Sequence, residues 1–333
     1  IDTTSMSKRL AAVNVAQVAA DAGTTEDFLR TCAMLYATGG AGRKDGTTEY
    51  PASTIWHTAS SRTTADAGEL ATAANNLAIL TGNLGRPGGG VLAFRRGANL
   101  QGVTDMGCVP MLLPGGASSS DATMRSALGE AWSSRWNAEN TTQNGFKQLR
   151  ELPSDTGLGV QALADAINAG TVRAMYIAAQ SHKWAQPIDP DLLAALPKLA
   201  FLVVEDCFES ELTALAHVVL PAAMFLEKDG SFTNVDRTVQ RVRLAVSAPG
   251  DAHSSTRYLE EIASRLGYTF GYYNASQIMD EISAVVPGYA GVSFPRLERN
   301  GMQWPVAGFG TQTTVHLSVG QGLVADDIRI IAD

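Results

Sequence analysis

The chain has 333 residues, 45% hydrophobic and 17% charged, which is enough apolar material for a sizeable core and argues against a disordered chain. Its formal net charge of −8 argues against general nucleic-acid binding, because phosphate contact needs clustered lysine and arginine. The three cysteines are widely spaced and the five histidines form no paired motif, so we expect no disulfide framework and no metal ligands in this chain.

Neither the start of the chain nor its hydropathy indicates a membrane protein. No apolar run approaches the ~20 residues that a membrane-spanning helix needs. The first residues, IDTTSMSKRL, lack an initiator Met and the apolar segment of a signal peptide. We therefore expect a fragment of a longer polypeptide, with no direct membrane span.

The first hundred residues predict two helical regions and two strands. Apolar residues recur at helical spacing over residues 10–38, and residues 65–82 predict a strong helix that ends at Gly82. ASTIWHTA and GVLAFRR predict strands. The stretch 97–150 is rich in Gly, Ser, Asn and Thr, and predicts mostly irregular structure.

From residue 157 onward, strands and helices alternate regularly. The predicted strands are VRAMYIAA, LAFLVVED and HVVLP, and the helices include GVQALADAINAG, PDLLAALPK, ESELTALA and TRYLEEIASRLGY. A continuous apolar run such as LAFLVV is typical of a strand buried on both faces of a parallel sheet. The pattern predicts an α/β fold in which parallel sheets are flanked by helices.

Polar residues follow each of these three strands. They are Gln180 and Ser181, then Glu205 and Asp206, then Glu227, Lys228 and Asp229. Ligands of an open parallel sheet bind beyond the carboxyl ends of its strands, so these residues predict one pocket. An acid there suits a ribose hydroxyl or a purine donor, and a lysine suits a phosphate or a purine carbonyl.

The stretch 227–243 carries seven charged residues and predicts a polar loop that leaves the sheet at this edge. Loops after strands are polar in any α/β protein, so a plain solvated turn is the alternative to a ligand site. The GxGxxG fingerprint of ordinary dinucleotide binding is absent from the sequence.

A second polar cluster is FRRGANLQGVTDMG, residues 94–107. It places Arg95 and Arg96 beside Gly97 and Asn99, and guanidinium groups next to a glycine-rich turn can bind a small oxyanion. A surface loop is the alternative.

Three blocks of the sequence resemble the molybdopterin oxidoreductase family, and in particular the large (alpha) subunit of formate dehydrogenases. They are TGNLGRPGGGVLAFRRGANLQGVTDMG, AHVVLPAAMFLEKDGSFTNVDRTVQRVR and IMDEISAVVPGYAGVSFPRLERNGMQWP, in the family's order. The G subunit of respiratory complex I carries similar blocks and is the rival interpretation. Another molybdopterin enzyme, such as a nitrate reductase, is a third.

The resemblance implies Rossmann-like parallel sheets and a fragment of a multidomain enzyme. Residues 1–94 would end one α/β domain, and residues 95–270 would form an α/β half-domain that binds guanosine. Residues 271–333 would be a helix and an irregular linker toward a C-terminal barrel domain outside this chain. The implied cofactor is molybdopterin guanine dinucleotide with Mo or W, and a 4Fe–4S cluster would lie in an N-terminal part outside this chain.

Carried over position by position, the resemblance assigns roles to individual residues. Arg95 falls on the arginine that holds formate beside the metal, and Arg96 takes that role if the loop is shifted by one residue. Asp206 and Lys228 fall on residues of the guanosine pocket. The full set of cofactor-binding candidates is Gln180, Ser181, Glu205, Asp206, Lys228, Asp229, Gly97 and Asn99.

The chain departs from the family pattern at several of its positions. His57 and Ser61 lie where the family has Met-Gly-x-x-Gln, Ala179 lies where a loop has glycine, and Ser255 lies where a later block has Asp. Each change removes a polar contact or adds a side chain where the backbone would approach the cofactor.

These features predict part of an enzyme that oxidises formate to CO2 and passes the electrons to iron–sulfur centres and electron-transfer subunits. The alternative is a complex I scaffold domain without an active molybdenum site. We expect a cytoplasmic location, or a periplasmic one if a twin-arginine signal precedes this chain.

Overall fold

The structure is a computed structural model, and it describes residues 10–40, 50–58, 64–84, 88–94, 97–139, 152–179, 188–267, 270–306 and 308. The chain divides into two compact units, residues 1–95 with 314–333 and residues 96–313. The break lies beside the predicted boundary at 94/95, and the second unit continues past the predicted boundary at 270/271. The three predicted domains stay predictions. None of the helices in the described ranges is long and apolar enough to cross a bilayer.

The first unit contains three helices and a two-stranded parallel sheet in its described part. They are α1 (Val15–Asp21), α2 (Glu26–Ala37), β1 (Thr54–Thr58), α3 (Thr64–Leu80) and β2 (Gly90–Phe94). The predicted helical region 10–38 is thus two helices, because Asn14 and Thr25 each accept a backbone N–H and start a new helix. After α3, the buried side chain of Asn83 accepts the backbone N–H of Ser53 and fixes the entry to β1.

The second unit holds the remaining described elements. Its helices are α4 (Leu100–Asp105), α5 (Ala122–Glu139), α6 (Val160–Asn168), α7 (Pro190–Ala195), α8 (Glu211–Leu215), α9 (Ser255–Arg265), α10 (Ala275–Val285) and α11 (Phe294–Leu297). Its strands are β3 (Ala174–Ala178), β4 (Phe201–Asp206), β5 (Val218–Pro221), β6 (Gly230–Thr233), β7 (Thr238–Val242) and β8 (Met302–Gln303).

Strands β3, β4 and β5 form a parallel sheet in that order, as the sequence predicts. Leu202 and Val204 of the central strand are both 0% exposed and pack with apolar residues of α6, α7 and α8. Because side chains alternate along a strand, Val203 and Glu205 point to the opposite face, which α9 borders. The prediction of an α/β fold with parallel sheets is confirmed.

The stretch 227–243 is not a simple loop, and that prediction was wrong for most of its length. Strands β6 and β7 form an antiparallel hairpin, to which β8 adds a third strand. Arg237 turns the chain between them with φ 65°, and its backbone N–H donates to the carbonyl of Asn234. Arg241 lies over the ring of Phe294 and bonds to Glu298 at 3.0 Å, so charged residues here fix the hairpin.

Residues 97–139, the described part of the stretch 97–150, are also more regular than the composition predicts. They contain α4 and α5, and the carboxylate of Asp121 accepts the backbone N–H groups of Thr123 and Met124 at the start of α5. Asp is a favoured residue at a helix start, so this cap was a signal that the Gly- and Ser-rich composition obscured.

A buried polar cluster ties this segment to the hairpin and to the turn before α11. The carboxylate of Asp105 accepts from Gln101 at 2.7 Å and from the Tyr289 hydroxyl at 2.8 Å. The same hydroxyl lies 3.1 Å from the hydroxyl of Thr233, whose backbone N–H donates to Asn99 at 2.8 Å. Burial raises the pKa of Tyr289, so its proton stays in place to make these bonds.

Candidate functional site

The carboxyl edge of sheet β3–β5 carries two buried acids. Glu205 and Asp206 end β4 and are 0% and 4% exposed. The backbone N–H of Ala179 donates to the carbonyl of Glu205, and that of Ala222 donates to the carbonyl of Asp206, both at 2.9 Å. The chain on either side therefore holds both acids in a fixed position at the edge where parallel sheets bind ligands.

Glu205 is the centre of a hydrogen-bonded group from three elements. The hydroxyl of Tyr176, in β3, donates to Oε2 at 2.7 Å, and the hydroxyl of Ser255, the first residue of α9, donates to Oε1 at 2.5 Å. Both bonds satisfy a buried carboxylate. Burial, and next the bond to Glu205, raise the pKa of Tyr176.

Asp206 shapes the loop that follows β4. Its Oδ1 accepts the backbone N–H of Cys207 at 2.7 Å, and its Oδ2 accepts from the hydroxyl of Ser210 at 3.0 Å. Ser210 in turn caps α8. A carboxylate oxygen has more than one acceptor site, so Asp206 can hold its loop and still accept from a ligand.

Lys228 follows a short turn, in which Glu227 accepts the backbone N–H of Met224 at 2.9 Å. Burial lowers the pKa of Lys228, and its titratable neighbours Cys207, Glu205 and Glu227 oppose this shift. Burial also raises the pKa of the Cys207 thiol, which Lys228 counteracts.

The thiol of Cys207 is thus the common neighbour of the predicted acids and the predicted lysine. Lys228 lowers the pKa of this thiol, whereas Asp206 and Glu205 raise it. Groups of opposite charge therefore influence the same thiol, which directly follows β4.

Two of the other predicted residues have partners outside this group, and a third is an exposed glycine. Asp229 is exposed, accepts the backbone N–H of Leu244, and lies 3.6 Å from Arg241 of the hairpin. The side-chain oxygen of Asn99 accepts from β6, as described above. Gly97 is exposed and has φ 101°, a conformation that suits glycine, before α4 begins.

The remaining predicted positions lie outside the described residues, except for two. The positions Arg95, Arg96, Gln180, Ser181 and Ser61 are not among the described residues. Ala179 follows β3 directly, and both ring nitrogens of His57, in β1, are buried without a hydrogen-bond partner among the described residues. Within the same ranges, no three His, Cys, Asp or Glu side chains come together as metal ligands.

Sequence reasoning missed Tyr176 as a site residue and read Ser255 only as a lost contact. Tyr176 lies opposite Val203 in the sheet, and this register places its side chain on the same face as Glu205. Tyr176 also borders a cavity of about 650 Å³ between the sheet and α9, whose other lining residues include Val203, Leu220, Tyr258 and Ile262. Only the strand register, which the sequence does not show, brings these groups together.

Comparison with known proteins identifies the relatives of this chain. The family model for molybdopterin oxidoreductase matches residues 7–265. The F420-dependent formate dehydrogenase 2 subunit alpha of Methanococcus maripaludis is 40% identical over 233 residues, which are 69% of this chain and 32% of that protein. The F420-dependent formate dehydrogenase subunit alpha of Methanocaldococcus jannaschii is 35% identical over 237 residues, again 69% of this chain and 32% of that protein.

Among solved structures, acetylene hydratase from Pelobacter acetylenicus matches with a TM-score of 0.34 and 16% identity, over 56% of this chain and 25% of that one. A similarity at this level carries no functional meaning. The chain spans about a third of the length of the two curated relatives. The family match covers most of the chain and confirms the resemblance seen in the first two blocks, whereas the third block, residues 278–305, lies beyond the matched residues. The chain belongs to the molybdopterin oxidoreductase family.

Proposed function

We propose that this chain is part of an oxidoreductase of formate dehydrogenase type, and that the edge of sheet β3–β5 holds the guanosine end of a molybdopterin guanine dinucleotide. Family membership itself implies a molybdopterin cofactor that carries molybdenum or tungsten. The names of the two archaeal relatives support formate as the substrate. The guanosine assignment depends on the residues at the edge.

The observation that carries the proposal is the pair of buried acids, Glu205 and Asp206, that ends β4 at the carboxyl edge of the sheet, with Lys228 in the segment that follows β5. Guanine presents N–H donors at N1 and N2 and a carbonyl acceptor at O6. Buried carboxylates suit the donors, and a lysine ammonium suits the carbonyl or a phosphate. The chemistry of these groups therefore fits a guanine nucleotide.

The roles of the residues follow from their chemistry. Asp206 binds a donor of the nucleoside while it keeps its own loop in place, and Lys228 donates to an acceptor of the same nucleoside. The guanidinium of Arg95 orients the carboxylate of formate through paired hydrogen bonds. The cofactor, when bound, supplies the two-electron oxidation of formate to CO2. We infer that the electrons leave through iron–sulfur centres and partner subunits, in the cytoplasm.

The test uses the full-length protein that contains this chain. We expect about one molybdenum or tungsten per polypeptide, GMP released from the cofactor by acid hydrolysis, and formate-dependent reduction of a viologen dye. A protein free of both metals would instead be the complex I type of scaffold. Reduction of nitrate without oxidation of formate would indicate the third interpretation, and either result would overturn the proposal.

A pair of variants resolves the choice between the two adjacent arginines. Arg95→Ala should lower kcat/KM for formate about 100-fold, because a charged group that orients the substrate is lost. Arg96→Ala is the matched control and should change kcat/KM by less than about threefold. A loss confined to Arg96→Ala would assign the role to Arg96.

A further inference from the structure

We propose that Glu205 positions the hydroxyl groups of Tyr176 and Ser255 so that both offer only hydrogen-bond acceptors to a bound base, and that this acceptor edge selects guanine. The inference rests on the proposed guanosine site and adds two residues to it. It also gives Glu205 a role that differs from direct contact with the ligand.

Glu205 itself has no surface with which to touch a ligand. It is 0% exposed, and its two oxygens accept from Tyr176 and Ser255. The two hydroxyl-bearing residues are only partly buried, and Tyr176 borders the open cavity beside α9. Any effect of Glu205 on the ligand must therefore pass through these two hydroxyls.

The direction of the two bonds fixes what the hydroxyls can do. A carboxylate can only accept, so each hydroxyl must direct its single proton to Glu205. Each hydroxyl oxygen can then only accept further hydrogen bonds. Any further hydrogen-bond partner of the Tyr176 or Ser255 hydroxyl must then be a donor. A base that presents an acceptor to these two oxygens forms no hydrogen bond with them and is repelled by their lone pairs.

The purines differ in this respect. Guanine carries donors at N1 and at the 2-amino group, hypoxanthine carries the N1 donor alone, and adenine has an acceptor at N1. Two acceptors fixed by Glu205 match the donor edge of guanine, while Lys228 supplies the donor for its carbonyl. A site whose buried polar groups are left unpaired by the wrong ligand discriminates strongly.

This arrangement gives Ser255 a role as a partner of Glu205. Ser255 is a short neutral residue at the start of α9. In the structure, the Ser255 hydroxyl contacts the carboxylate of Glu205, which reaches it from the neighbouring strand. The carboxylate that Ser255 contacts therefore comes from β4, not from α9 itself.

The experiment measures nucleotide binding by calorimetry on the full-length protein, produced in cells that cannot make molybdopterin. The probes are GMP, IMP and AMP. We expect the wild type to bind GMP about tenfold more tightly than IMP, since one N–H donor distinguishes them, and AMP more weakly than either.

Variants test the orientation mechanism through the ratio of GMP to IMP affinity. Glu205→Gln replaces an acceptor by an amide that donates to one hydroxyl, which then turns its proton outward, so the ratio should fall to about one. Tyr176→Phe removes one acceptor and should lower the ratio as well. Tyr258→Phe is the matched control: this tyrosine lines the same cavity, but its hydroxyl donates to the carbonyl of Pro221, so the ratio should stay unchanged.

The outcomes separate the two levels of the proposal. A wild-type protein that binds none of the three nucleotides would refute the guanosine site, and this inference with it. A wild type that prefers GMP, with Glu205→Gln and Tyr176→Phe retaining its full preference, would refute the inference alone. If Glu205→Gln does not fold, Ser255→Ala removes the other acceptor and should lower the ratio in the same way.

Discussion

The bond between Tyr289 and Asp105 should decide how firmly residues 97–120 are held in the second unit. Tyr289→Phe removes the hydroxyl but keeps the ring, which is 2% exposed. The buried carboxylate of Asp105 then loses one of two side-chain donors and keeps the bond from Gln101. A hydrogen bond to a charged group contributes about 2 kcal/mol, so local opening should become easier by about that amount.

Hydrogen exchange on the full-length protein measures this change directly. A cost of about 2 kcal/mol corresponds to about 30-fold faster exchange of amides protected by local opening. The reporters are the N–H of Gly115, which donates to the carbonyl of Asp105 at 2.7 Å, and the N–H of Thr233. The side chains of strand β4 pack in a different apolar cluster, so the amides of β4 should keep their wild-type exchange rates.

Tyr273→Phe is the matched control, because Tyr273 is 90% exposed. A surface change of this kind should leave exchange within about twofold of the wild type. If Tyr289→Phe behaves like this control, the polar cluster does not stabilise the segment, and the reasoning fails.

Three further predictions concern the same unit. Burial lowers the pKa of Lys228, which means that its charged form is disfavoured in the folded protein. Lys228→Met should therefore not reduce the melting temperature at pH 7 but should weaken GMP binding. A lower melting temperature with intact GMP binding would contradict this. Leu202→Ala leaves a cavity in the core and should ease opening of β3–β5 by about 2–5 kcal/mol, measured by hydrogen exchange, with little change in Gly115. Burial raises the pKa of Tyr289 above its unfolded value of roughly 10, so stability present at neutral pH should fall as pH rises beyond 10, and Tyr289→Phe should reduce that fall in a denaturant titration.

The parallel sheet could be predicted because its sequence pattern has one physical explanation. Phe201 to Val204 form a continuous apolar run, which is typical of a strand in a parallel sheet, although only the face of Leu202 and Val204 is fully buried here. The position of Asp206 at the end of that run follows directly. The carboxyl edge as a candidate site was therefore accessible from sequence alone.

The hairpin and the partners of Glu205 were harder to predict from the sequence. Charged residues in β7 suggested a solvated loop, whereas Arg241 packs on an aromatic ring and pairs with Glu298. The contacts of Glu205 depend on strand register and on where α9 begins, which are tertiary features. Tyr176 could not have been chosen over other aromatic residues without them.

The Tyr289–Asp105 bond has a consequence for how this protein is made. It joins residues 184 positions apart, so the ribosome must add that length of chain before the bond can form. At typical synthesis rates this takes about 10 to 40 s. During that interval Asp105 lacks its later partner, and residues 97–120 stay accessible to chaperones and proteases. Completion of this region is thus a late event, whereas sheet β3–β5, whose strands lie within 48 residues of sequence from Ala174 to Pro221, can assemble early.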